Sequence, residues 1–190
     1  MARVIQAISK ANFDPTDPDW GFTPQLTATE AKGFAARYLL QDDEAAFAAG
    51  QFIKAGEGNR VHLEIIFRWK NKDRGKGRLC QNSDEEIKDA VHLASCAVQP
   101  RSGIAVLTGL NGVNVPTASA IMTVIHPDRY TIIDYRALEA LGSIVTDRSI
   151  PYYLNYLAYC SGLAKLWGMS LRELDRGLWQ WSASKTVTAE

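Results

Sequence analysis

The stretch LNGVNVPTASAIM, Leu110 to Met122, constrains this chain more than any other. It sets a Gly, an Asn and a Pro within a few residues and then runs into small and apolar side chains. Leu107, Leu110 and Val113 precede or interrupt the breakers, and Ala118, Ile121 and Met122 come after them. The pattern predicts a helix, a tight turn, and a second helix beginning near Pro116. Pro116 suits a first helical turn, where its missing N–H costs nothing. A turn at a helix N-terminus presents free backbone N–H groups and the positive end of a helix dipole. Gly112 has no Cβ, so backbone can come close to a phosphate there. Such a turn is an anion site that needs no positive side chain.

Helical patterns dominate the rest. Ala2 to Lys10 is expected to form a short helix, and ANFDPTDPDWGFTP breaks regular structure with Pro15, Pro18, Gly21 and Pro24. TATEAKGFAARYLLQDDEAAFAAG reads as helical throughout, with Thr27 and Glu30 spaced as a capping box. Gly56 to Asn59 is a turn. VHLEIIFRWK has the β-branched and aromatic content of a strand, yet Leu63, Ile66 and Phe67 share one helical face and no pairing strand lies nearby, so a helix is predicted. NSDEEIKDAVHLASCAV carries a second capping box, Ser83 with Glu86, and an inner stripe of Ile87, Val91 and Ala94. In HPDRYTIIDYRALEALG the TII run is too short for an ordinary strand, and Asp134 stands where the helix YRALEAL begins. Two further helices, IPYYLNYLAYCSGLAKLWG and SLRELDRGLWQWSAS, precede KTVTAE, read as a frayed tail. Tyr152, Tyr153, Tyr156 and Tyr159 recur at helical spacing and suit core or pocket-wall packing, and Trp167, Trp179 and Trp181 anchor the last helices. The expected architecture is one all-α domain over residues 1–190.

With 46% hydrophobic and 22% charged residues, the 190-residue chain can bury a sizeable core. Lys and Arg number 21 against 21 Asp and Glu, which excludes a protein coated in positive charge and leaves local patches open. Cys80, Cys96 and Cys160 are far apart and form no C-x-x-C pair, which argues against structural zinc or an iron–sulfur cluster. They are expected to be reduced, mostly buried thiols. MARVIQAISKANFD lacks a signal-peptide apolar run, and no segment approaches the ~20 apolar residues of a membrane span, so the expected location is the cytoplasm, away from membranes. His62, His92 and His126 are scattered, and Ser119 and Ser143 have no readable base partner, so a nucleophilic hydrolase is not indicated.

The hairpin and the segment C-terminal to it resemble the helix-hairpin-helix (HhH-GPD) DNA glycosylase superfamily. Its pattern is approximately L-x-G-V-G-x-x-T-A, a second helix, a Gly- and Pro-rich loop, and a catalytic Asp opening the next helix. Leu110, Gly112, Val113, Thr117 and Ala118 fill the hairpin positions, Pro127 lies in the loop and Asp134 falls at the Asp. The likeness spans about residues 104–142: hairpin 104–123, Asp loop 126–136, with C-terminal helices over 150–184. It implies duplex DNA as partner, a monomer, base flipping and no required cofactor. It also implies a sodium or potassium ion on the carbonyls of Thr108, Leu110 and Val113. Three departures stand out. Asn114 replaces the second hairpin Gly and is expected to adopt the left-handed conformation. Pro116 occupies the place of the Schiff-base lysine of glycosylase/lyases, so no lyase step can start from that position. The four-cysteine cluster of one branch is absent. The closest functional type is therefore monofunctional, without lysine-dependent lyase activity.

Asp134 is then the expected catalytic residue, a carboxylate able to stabilise positive charge on a sugar and to position a water. The same Asp is also a preferred helix N-cap, and the two roles can coexist. DNA contacts are expected from Gly112, Val113, Asn114, Val115 and Thr117, from Arg136, and from the basic run FRWKNKDRGKGR through Lys70, Lys72, Arg74, Lys76 and Arg78. Read alone, that run is a solvated loop; beside a hairpin, it is a flexible loop that tracks phosphates while Trp69 wedges or stacks. The acidic QDDEAAF would face away from DNA. Arg136 has a phosphate or a helical acid such as Glu139 as its two expected partners. Trp20, Tyr135 and Tyr153 join Trp69 as base-pocket candidates. The expected function is excision of a damaged or modified base, in repair or in defence against phage DNA. The rivals are a non-catalytic DNA-binding module and a protein-interaction domain that uses the hairpin as a connector.

Overall fold

A helix apolar on every side has to be the centre of a helical protein, and α7 (Val115–Ile125) is that helix. Every side chain from Thr117 to Ile125 is buried. The computed structural model describes residues 13–72, 74 and 76–187, all of whose regular elements are helical. The chain runs through α1 (Ala28–Ala35), α2 (Glu44–Lys54), α3 (Arg60–Asn71), the short α4 (Lys76–Leu79), α5 (Asp84–Cys96) and α6 (Pro100–Thr108) before reaching α7. It continues through α8 (Tyr135–Ala140), α9 (Ile150–Trp167) and α10 (Leu171–Val187). Helices α2, α3, α5 and α6 pack around α7, while α10 lies along α1 and against α8. None of the described helices is long and apolar enough to cross a membrane.

A close crossing is at Gly50 on α2. A Cβ there would sit 2.3 Å from the Val124 carbonyl oxygen of α7, so the two backbones touch where any side chain would separate them. The hydroxyls that α7 takes into the core are satisfied locally: Thr123 donates to the Ser119 carbonyl (2.8 Å) and Ser119 to that of Pro116 (2.8 Å).

Both predicted capping boxes form, at Thr27 with Glu30 and at Ser83 with Glu86. The stripe Ile87, Val91 and Ala94 is buried, as are Leu63, Ile66 and Phe67 on α3. Other expectations need correction. The long helix expected from Thr27 onward is two helices, α1 and α2, separated by a 3-10 turn over Leu40–Asp42. The Tyr38 hydroxyl donates to Asp43 (2.9 Å), a meeting that one straight helix forbids, because residues five apart lie about 140° apart around its axis. Asp43 belongs to the acidic stretch expected on the face away from DNA, and it is buried and paired with Arg172 and Arg176 (2.9 Å). Cys80 and Cys96 are exposed, so only Cys160 fits the buried-thiol expectation. Helix α10 runs to Val187, which takes the first half of the supposed tail into regular structure. The expected Ala2–Lys10 helix and residues 188–190 lie outside the described residues.

Arg172 anchors the start of α10. Its guanidinium is enclosed by the rings of Tyr38, Phe47 and Trp69, 5.6, 5.3 and 5.8 Å from their centroids, and donates to Asp43 and Asp175. Burial pulls the Asp43 carboxyl up, and the two arginines overcome this to hold it below its ordinary range. Two predictions test this core. Gly50→Ala is expected to lower stability by about 1–3 kcal/mol through forced separation of α2 and α7. Arg172→Met leaves the buried Asp175 without its cation and Asp43 with Arg176 alone, and is expected to cost about 3–5 kcal/mol. Urea unfolding monitored by circular dichroism measures both.

Candidate active site

The hairpin turn is built as its residues dictate. Leu110 N–H returns to the Leu107 carbonyl and Val113 N–H to that of Leu110, both at 3.1 Å, and Gly112 takes a φ of +85° that favours glycine. The buried Asn82 braces the turn from outside it, accepting the Asn111 N–H (2.8 Å) and donating to the Asn111 carbonyl (3.1 Å). Asn114 is not left-handed as expected. It is extended (φ −96°, ψ 175°) and caps α7, its side chain accepting the N–H of Thr117 at 3.0 Å. One glycine suffices to reverse the chain, which frees the Asn for the capping role it also favours. With the N–H groups of Asn111, Val113 and Thr117 committed, Gly112, Asn114 and Val115 are the turn residues whose N–H groups have no acceptor among the described residues. These are the donors the turn can offer an anion.

Asp134 lies at the end of an extended segment that two buried phenols hold from below. Tyr153 donates to the Thr131 carbonyl (3.1 Å) and Tyr156 to that of Ile132 (2.9 Å). Burial pushes both phenols well above their ordinary pKa, so they act as fixed donors. Tyr153 therefore positions the Asp loop from within the core, where it has no exposed face to offer a base. Ser119 completes the support: its hydroxyl oxygen accepts the Ile133 N–H (3.2 Å) while donating to Pro116. One side chain thus joins the first turn of α7 to the residue beside Asp134.

The Asp134 carboxylate divides its work. Oδ1 accepts the Ala137 N–H (3.0 Å) and caps α8, and Oδ2 faces the Lys70 ammonium at 3.0 Å. The two side chains are 18% and 15% exposed, a pair at the boundary between core and solvent. Lys70 arrives from 64 residues away on the last turn of α3, and the residues on either side hold the backbone that carries it. Trp69 packs edge-on against Phe47 beneath Arg172, and Asn71 donates to the Thr117 hydroxyl (3.3 Å), itself a donor to the Asn114 cap. Behind the pair is Asp175. Burial pushes its carboxyl up to about 6, with Arg172 pulling the other way; the Asp134 charge adds to the rise and Lys70 opposes it.

Among the described residues, most of the basic run is helical where a loop is expected. Phe67 to Asn71 end α3, Lys72 closes it in a left-handed cap, and Lys76 opens α4. Lys70 turns to Asp134 instead of outward, and Trp69 is half-buried and packed against the core. Lys72, Arg74 and Arg78 are exposed, with Arg74 donating to the Asn71 carbonyl (3.2 Å). Tyr135 is 65% exposed beside Asp134. Arg136 stacks between Tyr135 and Trp179, at 5.1 and 5.3 Å, and donates to Ser182, which in turn donates to Glu139. Trp20 belongs to an aromatic cluster with Phe13 and Tyr159. Of the three carbonyls expected to hold a monovalent cation, that of Leu110 already accepts the Val113 N–H, leaving one lone pair for an ion.

Asn71, Asn82, Arg172 and Asp175 do positioning work that sequence reading missed. The first three act across long separations with no local pattern to signal them, and Asp175 pairs with Arg172 one turn away on α10. No protein-family model, curated protein or solved structure matches the chain.

Chemically, the site offers a carboxylate at the boundary with solvent, an amine against its Oδ2, and a turn with free N–H donors tied to both. Ser119→Ala strands the buried Ile133 N–H and is expected to cost about 1–3 kcal/mol, measurable by urea unfolding.

Proposed function

We propose that the protein is a DNA glycosylase. It grips duplex DNA through the α6–α7 turn, rotates one damaged or modified nucleotide out of the stack, and hydrolyses its N-glycosidic bond to leave an abasic site. The observation that carries this reading is the Ser119 bridge. It makes the anion-accepting turn and the Asp134 loop one rigid body, so a phosphate held at the first would set the distance of a sugar from the second. Cleavage of a glycosidic bond builds positive charge on the sugar, which the Asp134 carboxylate stabilises while positioning or deprotonating the attacking water. Because Oδ1 is spent on the cap, Oδ2 is the oxygen that meets the sugar, and Lys70 shares or yields that place on its flexible stem. The exposed Lys72, Arg74 and Arg78 supply phosphate contacts beside the turn, which lets a chain of zero net charge hold DNA. The protein works as a monomer in the cytoplasm, on repair substrates or on modified bases of phage DNA.

One observation favours a second reading, a binding module without catalysis. Both oxygens of Asp134 already have partners, which a purely structural Asp would also show. Duplexes carrying single alkylated, oxidised, deaminated or bulky modified bases separate the two. Incubation and then alkali treatment are expected to break the strand at one class of base, and Asp134→Asn is expected to reduce the rate by about 10²–10³-fold. Salt-dependent binding with no breaks on any duplex makes the protein a binding module, and absence of salt-dependent binding removes DNA altogether.

A further inference from the structure

We infer that Lys70 selects the substrate by charge: the base removed at this site is uncharged and leaves with a proton from Lys70, and cationic alkylated bases are excluded. This rests on the reading that Asp134 Oδ2 faces the sugar of an extruded nucleotide. The Lys70 ammonium lies 3.0 Å from that oxygen. C1′ carries the base, so an ammonium beside the carboxylate that meets C1′ also stands beside the departing nitrogen. Its charge discriminates between two classes of base. An uncharged base takes on negative charge as the C1′–N bond breaks, and a cation next to it lowers that barrier. A base alkylated on a ring nitrogen enters as a cation and leaves uncharged. The same ammonium repels it on entry and gives its departure no help.

The aromatic rings near Asp134 favour the same selection. A site for a cationic base needs electron-rich ring faces to hold it. Tyr135 and Trp179 instead have the Arg136 guanidinium over them, 5.1 and 5.3 Å from their centroids. Tyr38, Phe47 and Trp69, the rings of the neighbouring core, surround Arg172. The buried acids have cations of their own as well. Asp175 is paired with Arg172, and Asp43 with Arg172 and Arg176.

The step balances with the groups in place. The C1′–N bond breaks and its electron pair goes to the base nitrogen, which takes a proton from Lys70 Nζ. Water adds to C1′ and gives a proton to Asp134 Oδ2. That proton passes across the 3.0 Å contact to Nζ, which restores both side chains. The products are the free base and an abasic sugar, and Lys70 forms no bond to carbon.

The test uses the full chain and duplexes with one altered base each. The uncharged bases are 8-oxoguanine, hypoxanthine, uracil and a bulky 5-substituted cytosine, and the cation is 7-methylguanine. Released base is measured by mass spectrometry, because 7-methylguanine sites also break in alkali. Acceleration over the spontaneous rate is expected to be at least about 10²-fold greater for one uncharged base than for 7-methylguanine. Lys70→Met is expected to slow release of that base by about 10²-fold without slowing release of 7-methylguanine. Lys70→Arg keeps the charge and is expected to keep the exclusion of 7-methylguanine. Thermal unfolding checks that both variants fold. Acceleration of 7-methylguanine release equal to or above that of every uncharged base overturns charge selection and leaves the glycosylase standing. A folded Lys70→Met variant with an unchanged ratio between the two classes does the same. Release of no base from any duplex removes the glycosylase reading itself, and this inference with it.

Discussion

A guanidinium withdrawn from water, that of Arg172, is the interaction on which the remaining geometry depends. Taking a cation into a low-dielectric interior is tolerable only with close counter-charges and a polarisable surround. Arg172 finds Asp43 at the start of α2, Asp175 one turn along α10, and three aromatic faces from three parts of the chain. The arrangement sets where α1 ends, where α2 begins and how α10 lies. Through Trp69 it also sets the angle at which the last turn of α3 presents Lys70.

From that frame the candidate site is assembled by short polar ties. Ser119 joins the hairpin helix to the Asp loop, Asn71 joins α3 to the hairpin cap, and two phenols pin the carbonyls before Asp134. None of these groups needs to touch a ligand. Their effect is to remove freedom from the groups that would, and rigid placement of this kind makes a carboxylate more effective than the same group on a loop.

The features legible in the sequence are those that neighbouring residues decide. The turn at Gly112, the two capping boxes and the apolar stripes of α3 and α5 come from local chemistry and helical spacing, and the structure has them. Asp134 is readable as a helix start for the same reason. The break at Asp43 is invisible in the sequence, because an Ala-rich stretch with good helix formers is interrupted by a partner 129 residues away. Asn114 is recognisable as a turn residue, but its conformation is not, since the same side chain suits a left-handed position and an N-cap. Lys70 is hidden by its company. Among five other basic residues it reads as one more surface charge, and only the tertiary fold separates it from them.

The turn and the carboxylate–amine pair therefore differ in how they come into being. The turn is made mostly from neighbours between Leu107 and Thr117, with Asn82, 29 residues away, as its outside brace. The pair joins residues 64 apart and leans on a contact spanning 129, so it exists only once distant segments have met. Contacts of long sequence separation form late and open together. On the proposed function, a partly opened chain would keep its hold on a phosphate after Asp134 and Lys70 had drifted apart, so attachment would outlast chemistry as conditions become harsher.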